Sequence, residues 1–227
     1  MQLNKKSFYV MLSIIVLSCI MAAIDAFVQP GYLVKSIIKI ILFLLIPAVF
    51  FLVHKSERHV VKNLFALKKT GLVKSLGLGI TIFVIIIIGY LIFKRWIDFG
   101  EVTNLLTANA GVNKENFVFV SLYISFINSF LEEIFFRGFG FITLKKYTNP
   151  KFAYIFSSGL FAFYHVGMTL GWWAFWISCI SMLGLFVGGL IFDWLDSKYE
   201  SIYPSWIAHM FTNFAINTVG FIIFGII

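Results

Sequence analysis

The stretch SFLEEIFFRGFGF, residues 129–141, sets two adjacent carboxylates and a guanidinium inside one of the most apolar segments of the chain. Their meaning depends on the solvent. Of 227 residues, 60% are hydrophobic, 19% aromatic and 12% charged, which lies outside the soluble globular range. Nearly uncharged runs recur at 8–27, 36–53, 76–93, from 117 onward, 152–170, 172–195 and 205–227. Each is long enough to cross ~30 Å of hydrocarbon as a helix. The expected fold is all-α: a polytopic membrane protein of about seven transmembrane helices, or eight if the segment 117–147 crosses and returns.

The basic residues orient such a bundle. With the N-terminus inside and seven spans, inner segments hold Lys5, Lys6, six residues of the loop 54–74, Lys145, Lys146, Lys151 and Lys198, twelve in all. Outer segments hold four: Lys35, Lys94, Arg95 and Lys114. That is the cytoplasmic bias expected of a cell-membrane protein, and the net charge of +8 needs no nucleic-acid partner. In the loop 54–74, Val60, Val61, Leu64, Phe65 and Leu67 recur at helical spacing, so it reads as an amphipathic helix on the anionic inner leaflet or as a solvated connector. The first span follows Lys5 and Lys6 as a signal peptide does, but it is long and lacks a small-residue cleavage site, so it reads as retained. Cys19 and Cys179 fall within spans, which leaves no disulfide framework and suggests small packing residues.

The polar loop 94–116 separates an N-terminal region, 1–116, from a core, 117–227. Before it, the spans hold only Asp25, Lys39 and scattered hydroxyls. After it come Asn128, Glu132, Glu133, Arg137, His165, Asp193, His209, Asn213 and Asn217, so chemistry is expected in the core. On a helix, Glu133 and Arg137 share a face in the favourable order for an ion pair, while Glu132 is rotated by about 100° toward the line of Asn128. An interhelical polar clasp would explain this trio as well as a catalytic site does. Later segments add to it. Phe161 and His165 are four apart, and Ser205, His209, Asn213 and Asn217 form an unbroken polar stripe whose members each need a partner or water. Glu132 and His165 are equidistant from the turn KKYTNPK, so an antiparallel hairpin sets them at one depth. His209, near Pro204, falls closer to the cytoplasmic face unless the chain tilts or breaks at Gly138 and Gly140.

Glu-Glu-x-x-x-Arg at 132–137, Phe-x-x-x-His at 161–165 and His-x-x-x-Asn at 209–213, each on an apolar span, resemble the CAAX protease and bacteriocin-processing (CPBP, Abi) family of intramembrane endopeptidases over residues 117–218. The resemblance implies that Glu132, with His165, activates a water, and that His209 and Asn213 steady the oxyanion. Glu133 and Arg137 then position and balance charge, and Phe161 packs on His165. It also implies a peptide or membrane-protein substrate, with roles from peptide processing to self-immunity. The composition, rich in Ile, Phe, Lys and Asn, suggests a bacterial cytoplasmic membrane. Gly-x-Ser-x-Gly and His-Glu-x-x-His are missing, so serine and zincin mechanisms lack their residues. Zinc on Glu132, His165 and His209 is the alternative to the metal-independent glutamate mechanism favoured here. Rival functions are a non-catalytic scaffold that regulates a membrane partner and a proton-coupled transporter, the latter without the pseudo-symmetric halves it requires.

Overall fold

The computed structural model describes residues 4–169 and 175–227, with backbone alone at 58, 59, 168 and 169. Every regular element among them is helical. The helices are α1 (Lys5–Val28), α2 (Tyr32–Val53), α3 (Arg58–Leu64), α4 (Lys69–Phe93), α5 (Phe99–Ala110), α6 (Phe117–Tyr147), α7 (Pro150–Thr169), α8 (Phe175–Tyr199) and α9 (Tyr203–Ile223). Six of these (α1, α2, α4, α6, α8 and α9) are long and apolar enough to span a membrane. The protein is a multi-pass membrane protein.

Helix α7 is the crossing that apolarity alone does not identify. It has 20 residues, about 30 Å of helix, but Ser157, Ser158, Tyr164 and His165 dilute its hydropathy. The ends of the bundle show that it crosses. Lys6 and Lys146 both pair with Glu57, at 3.0 and 3.6 Å, while Lys145 donates to Ser197 at 2.6 Å. These contacts gather the start of α1, the loop after α2, the end of α6 and the end of α8 at one end. At the other end Lys114 donates to the Gly225 carbonyl at 2.5 Å, and Val112, Phe117 and Val120 pack with Tyr32 and Phe224. The chain thus traverses the bundle seven times. The eight-crossing alternative is excluded because α6 is one continuous helix. The expected turn at 170–172 lies outside the described residues.

Two departures from the regular α-helix position the site. Within α6, wider π turns occupy Ile124–Asn128 and Glu133–Ile142. Such turns are often found at functional sites because they rotate side chains out of the 3.6-residue phase. There is no break at Gly138 or Gly140. Instead, the loop before α4 is tucked into the bundle: Val60 and Leu64 of α3 are buried in the main core. A Cβ at Gly138 would come within 3.1 Å of Leu64. The Leu64 carbonyl also accepts from the Ile202 N–H at 3.0 Å and the Ser201 hydroxyl at 3.2 Å. The last helix therefore begins beside Gly138, which brings His209 level with Glu133. The basic side chains of this loop, Lys55, Lys62, Lys68 and Lys69, remain exposed.

One aromatic core joins the two sides of the 94–116 loop. Phe43 of α2 stacks on Phe135 of α6, with centroids 4.1 Å apart and planes 3° apart, and meets Phe136 and Tyr164 edge-on. In a bilayer such packing is held by van der Waals contact rather than by exclusion of water. Close approach needs small residues. At Gly167 of α7 a Cβ would overlap the Ala22 carbonyl of α1, and at Gly189 of α8 it would lie 3.0 Å from the Ser158 backbone. The cysteines do not serve this purpose: Cys19 and Cys179 are exposed on the outer surface of the bundle, not packed in it.

At the loop end, Glu57 is a buried hub, accepting from Tyr147, Lys6 and Ser56. Burial acts to raise its carboxyl pKa, but the Tyr147 hydrogen bond and the ammonium groups of Lys6 and Lys146 outweigh it and hold the group at about 2.

Candidate active site

The two acids of α6 face two clusters that share one imidazole. Glu132 is 2% exposed, and its Oε1 takes three donors: Asn128 Nδ2 at 2.9 Å, Lys39 Nζ at 3.0 Å and the Tyr164 hydroxyl at 3.4 Å. Lys39 also donates to Asn128 Oδ1 at 2.5 Å, and its ammonium lies 4.9 Å from the Tyr164 ring centroid. The other oxygen, Oε2, faces His209 Nε2 at 3.7 Å. Glu133 meets the opposite edge of the same ring, with Oε1 at 2.7 Å from His209 Nδ1. An ionised carboxylate only accepts, so Nδ1 carries the proton and Nε2 is the atom turned toward Glu132. The sequence assigns the two acids to different neighbours. The structure keeps that division on the Lys39 and Arg137 sides, and adds His209 as a neighbour of both.

Behind Glu133 lies a buried charge cluster. Arg137 is wholly buried, with Nε 3.5 Å from both Glu133 Oε2 and Asp193 Oδ1. Among the described residues none of its nitrogens makes a hydrogen bond. Its guanidinium is enclosed by aromatic faces instead, with Cζ 4.1 Å from the Phe161 centroid and 5.1 Å from that of Phe192. This is cation–π stabilisation of a buried guanidinium. Asp193 is completed by the hydroxyls of Ser157 at 3.1 Å and Ser158 at 3.0 Å. Glu133 is therefore not committed to Arg137 alone, because its nearer partner is His209.

Phe161 is central to the imidazoles as well as to the arginine. Its ring centroid lies 4.8 Å from that of His165 and 5.8 Å from that of His209, while Phe192 stacks on His209 at 5.1 Å. His165 Nδ1 lies 2.7 Å from the Phe161 carbonyl. A carbonyl only accepts, so the neutral ring has its proton on Nδ1 and its lone pair on Nε2. On the opposite helix of the hairpin Tyr164, next to His165 in the chain, reaches Glu132 at 3.4 Å. The hairpin thus puts Glu132 and His165 at similar depth.

The polar stripe of α9 is the seam that docks this helix. Ser205 donates to Asp196 Oδ2 at 2.9 Å, Asn213 Nδ2 to the Ile124 carbonyl at 3.1 Å, and Asn217 Nδ2 to the Ser121 carbonyl at 3.1 Å and Ser125 Oγ at 3.0 Å. Ile124 begins the first π turn, where its carbonyl takes the i+5 N–H of Ser129 and also the Asn213 amide. One N–H of Asn213 is thus engaged with backbone. The residues not foreseen as site members are Lys39, Asn128, Tyr164, Asp193 and Asp196. A buried lysine in a span always needs a counter-charge, but its sequence does not say which.

The same geometry bears on where a metal would have to sit. A cation, the Lys39 ammonium, already lies on Glu132 Oε1. Among the described residues no three His, Cys, Asp or Glu side chains converge as a metal-binding group.

Residues 114–215 match the family model "Type II CAAX prenyl endopeptidase Rce1-like". Over that segment, a little under half of the chain, it is similar to the Rce1-like family. This agrees with the resemblance carried by the three motifs, all of which lie inside the match, and points to an intramembrane CAAX-type protease. The Rce1-like segment excludes Lys39, although Lys39 contacts its Glu132. No curated protein and no solved structure matches the chain.

Proposed function

We propose that the protein is a metal-independent intramembrane endopeptidase of the bacterial cytoplasmic membrane, cutting a peptide precursor or a membrane-associated protein. The observation that carries this reading is the convergence of Glu132, Tyr164 and His209, from three helices, at one buried point beside Lys39.

Glu132 Oε2 and His165 Nε2 take up a water. As the water attacks the peptide carbonyl carbon, its proton passes to Glu132, and the C–O bond forms. Negative charge develops on the carbonyl oxygen, where His209 in its doubly protonated form donates through Nε2 and Asn213 through its amide. Collapse breaks the C–N bond, and the proton held by Glu132 leaves with the amine. Glu133 holds the ring of His209 through Nδ1, and Arg137 balances the charge of Glu133 and Asp193. The ammonium already on Glu132 favours this route over one that places a metal there. The exposed lysines of the α3 loop suit contact with the anionic inner leaflet.

The test is cleavage of a farnesylated CAAX peptide and of a membrane-segment peptide library by the purified protein in proteoliposomes, read by mass spectrometry. The expected result is cleavage by the wild type and none by Glu132→Gln. Equal cleavage by both would refute the mechanism, and no cleavage with retained binding of a membrane partner would favour the scaffold.

A further inference from the structure

Lys39 is buried, 5% exposed, near the middle of α2 and 93 residues from its acidic partner. It lies outside the Rce1-like segment. Its environment is specific: an ammonium bonded to one oxygen of Glu132 and to the Asn128 carbonyl oxygen, above the faces of Tyr164 at 4.9 Å and Phe43 at 5.7 Å. Asn128 turns its amide nitrogen back to the same Glu132 oxygen. Lys39, Asn128 and Tyr164 therefore all converge on Oε1. The other oxygen, Oε2, lies 3.7 Å from the Nε2 edge of His209.

We infer that Lys39 is a positioning residue for the reaction: it ties down Glu132 Oε1 and so makes Oε2, turned toward His209, the oxygen that takes the proton of water. The inference rests on the proposed role of Glu132 as base. A carboxylate whose two oxygens were equally free would rotate about its last torsion, and a reacting group misplaced by about 1 Å loses about 10²-fold in rate. Three donors on one oxygen remove that freedom. The ammonium has a second effect, since a carboxylate without its cation in a site of low dielectric takes up a proton rather than remain charged. The side chains in direct contact with Glu132 include Lys39 from α2, Asn128 from α6, Tyr164 from α7 and His209 from α9. Lys39 is the one lysine or arginine among them. The nearby Lys35 is paired with Asp25 at 2.6 Å.

Two independent readouts test this. With the farnesylated CAAX peptide, Lys39→Met should lower kcat by about 10²-fold while KM changes less than about 3-fold, because Lys39 acts through Glu132. Lys39→Arg, which keeps the charge and the donors, should recover most of the rate. The second readout needs no substrate. Dicyclohexylcarbodiimide, an apolar reagent that modifies protonated carboxyls within membranes, should label Glu132 in Lys39→Met and spare it in the wild type, as read by peptide mass spectrometry. Unchanged kcat in Lys39→Met, or identical Glu132 labelling in both proteins, overturns the inference. Should Lys39→Met fail to accumulate, Lys39→Met/Glu132→Gln decides: its recovery shows that a stranded carboxylate was the cause, and its failure makes Lys39 a packing residue. Full activity in Glu132→Gln would refute the proposed base, while the labelling would still report the pairing.

Discussion

Replacing Arg137 by methionine isolates the value of the buried charge cluster from that of its volume. The side chain is unbranched, flexible and apolar and fills much of the path of the arginine stem toward Phe161 and Phe192, so overpacking is avoided and the cavity is smaller than alanine would leave. Two carboxylates, Glu133 and Asp193, then lose a cation 3.5 Å away. Removing one partner of a buried pair costs about 3–5 kcal/mol, and the lost cation–π contacts add about 0.5–2 kcal/mol. Both acids keep other donors: His209 for Glu133, and Ser157 and Ser158 for Asp193. The lower end of the sum therefore applies, about 3.5 kcal/mol, or a fall of ~7–14 °C in Tm for a chain of this size. Thermal unfolding in detergent, followed by tryptophan fluorescence, measures it. Arg137→Met/Asp193→Asn should regain about half of the loss, since one of the two stranded carboxylates becomes neutral. A Tm within about 2 °C of wild type for the single variant would refute the reasoning, because the cluster would not then depend on its only guanidinium.

Three further outcomes follow from the geometry. Glu133→Gln should lower kcat by at least about 10²-fold with KM nearly unchanged, because an amide holds His209 Nδ1 without the charge that steadies the doubly protonated ring; single-turnover kinetics would reveal it. Asn213→Ala should lower kcat by about 10²- to 10³-fold yet leave measurable turnover, as one of two oxyanion donors remains. At the loop end, the carboxyl of Glu57 is held at about 2 against an ordinary 4.5, so its clasp stabilises the fold above pH ~4.5 and is lost as pH falls toward ~2. The difference in Tm between wild type and Glu57→Gln should accordingly be flat above pH ~5 and shrink below it; a difference that grows on acidification would contradict the assignment.

The parts of this site that were legible in the sequence are those set within one helix. Glu133 and Arg137 are four apart, as are Phe161 and His165, and the stripe 205–217 recurs every fourth residue, so helical periodicity alone predicts their shared faces. The 3.6-residue phase fails where α6 changes to π turns. It separates Glu132 from Glu133 by about 100° and gives them different partners, whereas the structure has both acids reach His209. The depth of His209 stays open in the sequence for a related reason: counting from Pro204 says nothing of where α9 starts, and the contacts of Leu64 with Gly138 and Ile202 set that start. Neither effect is visible in a local pattern, since one arises from a change of helical pitch and the other from a contact between residues 64 and 202. Lys39 is the strongest instance. A lone lysine in a span announces that a counter-charge exists, but Asp25, Glu132, Glu133 and Asp193 are all buried acids that would serve. The choice of Glu132 follows from how α2 packs on α6 through Phe43 and Phe135. Since that contact joins the region before the 94–116 loop to the one after it, the geometry of Glu132 depends on residues that no motif in the Rce1-like segment contains.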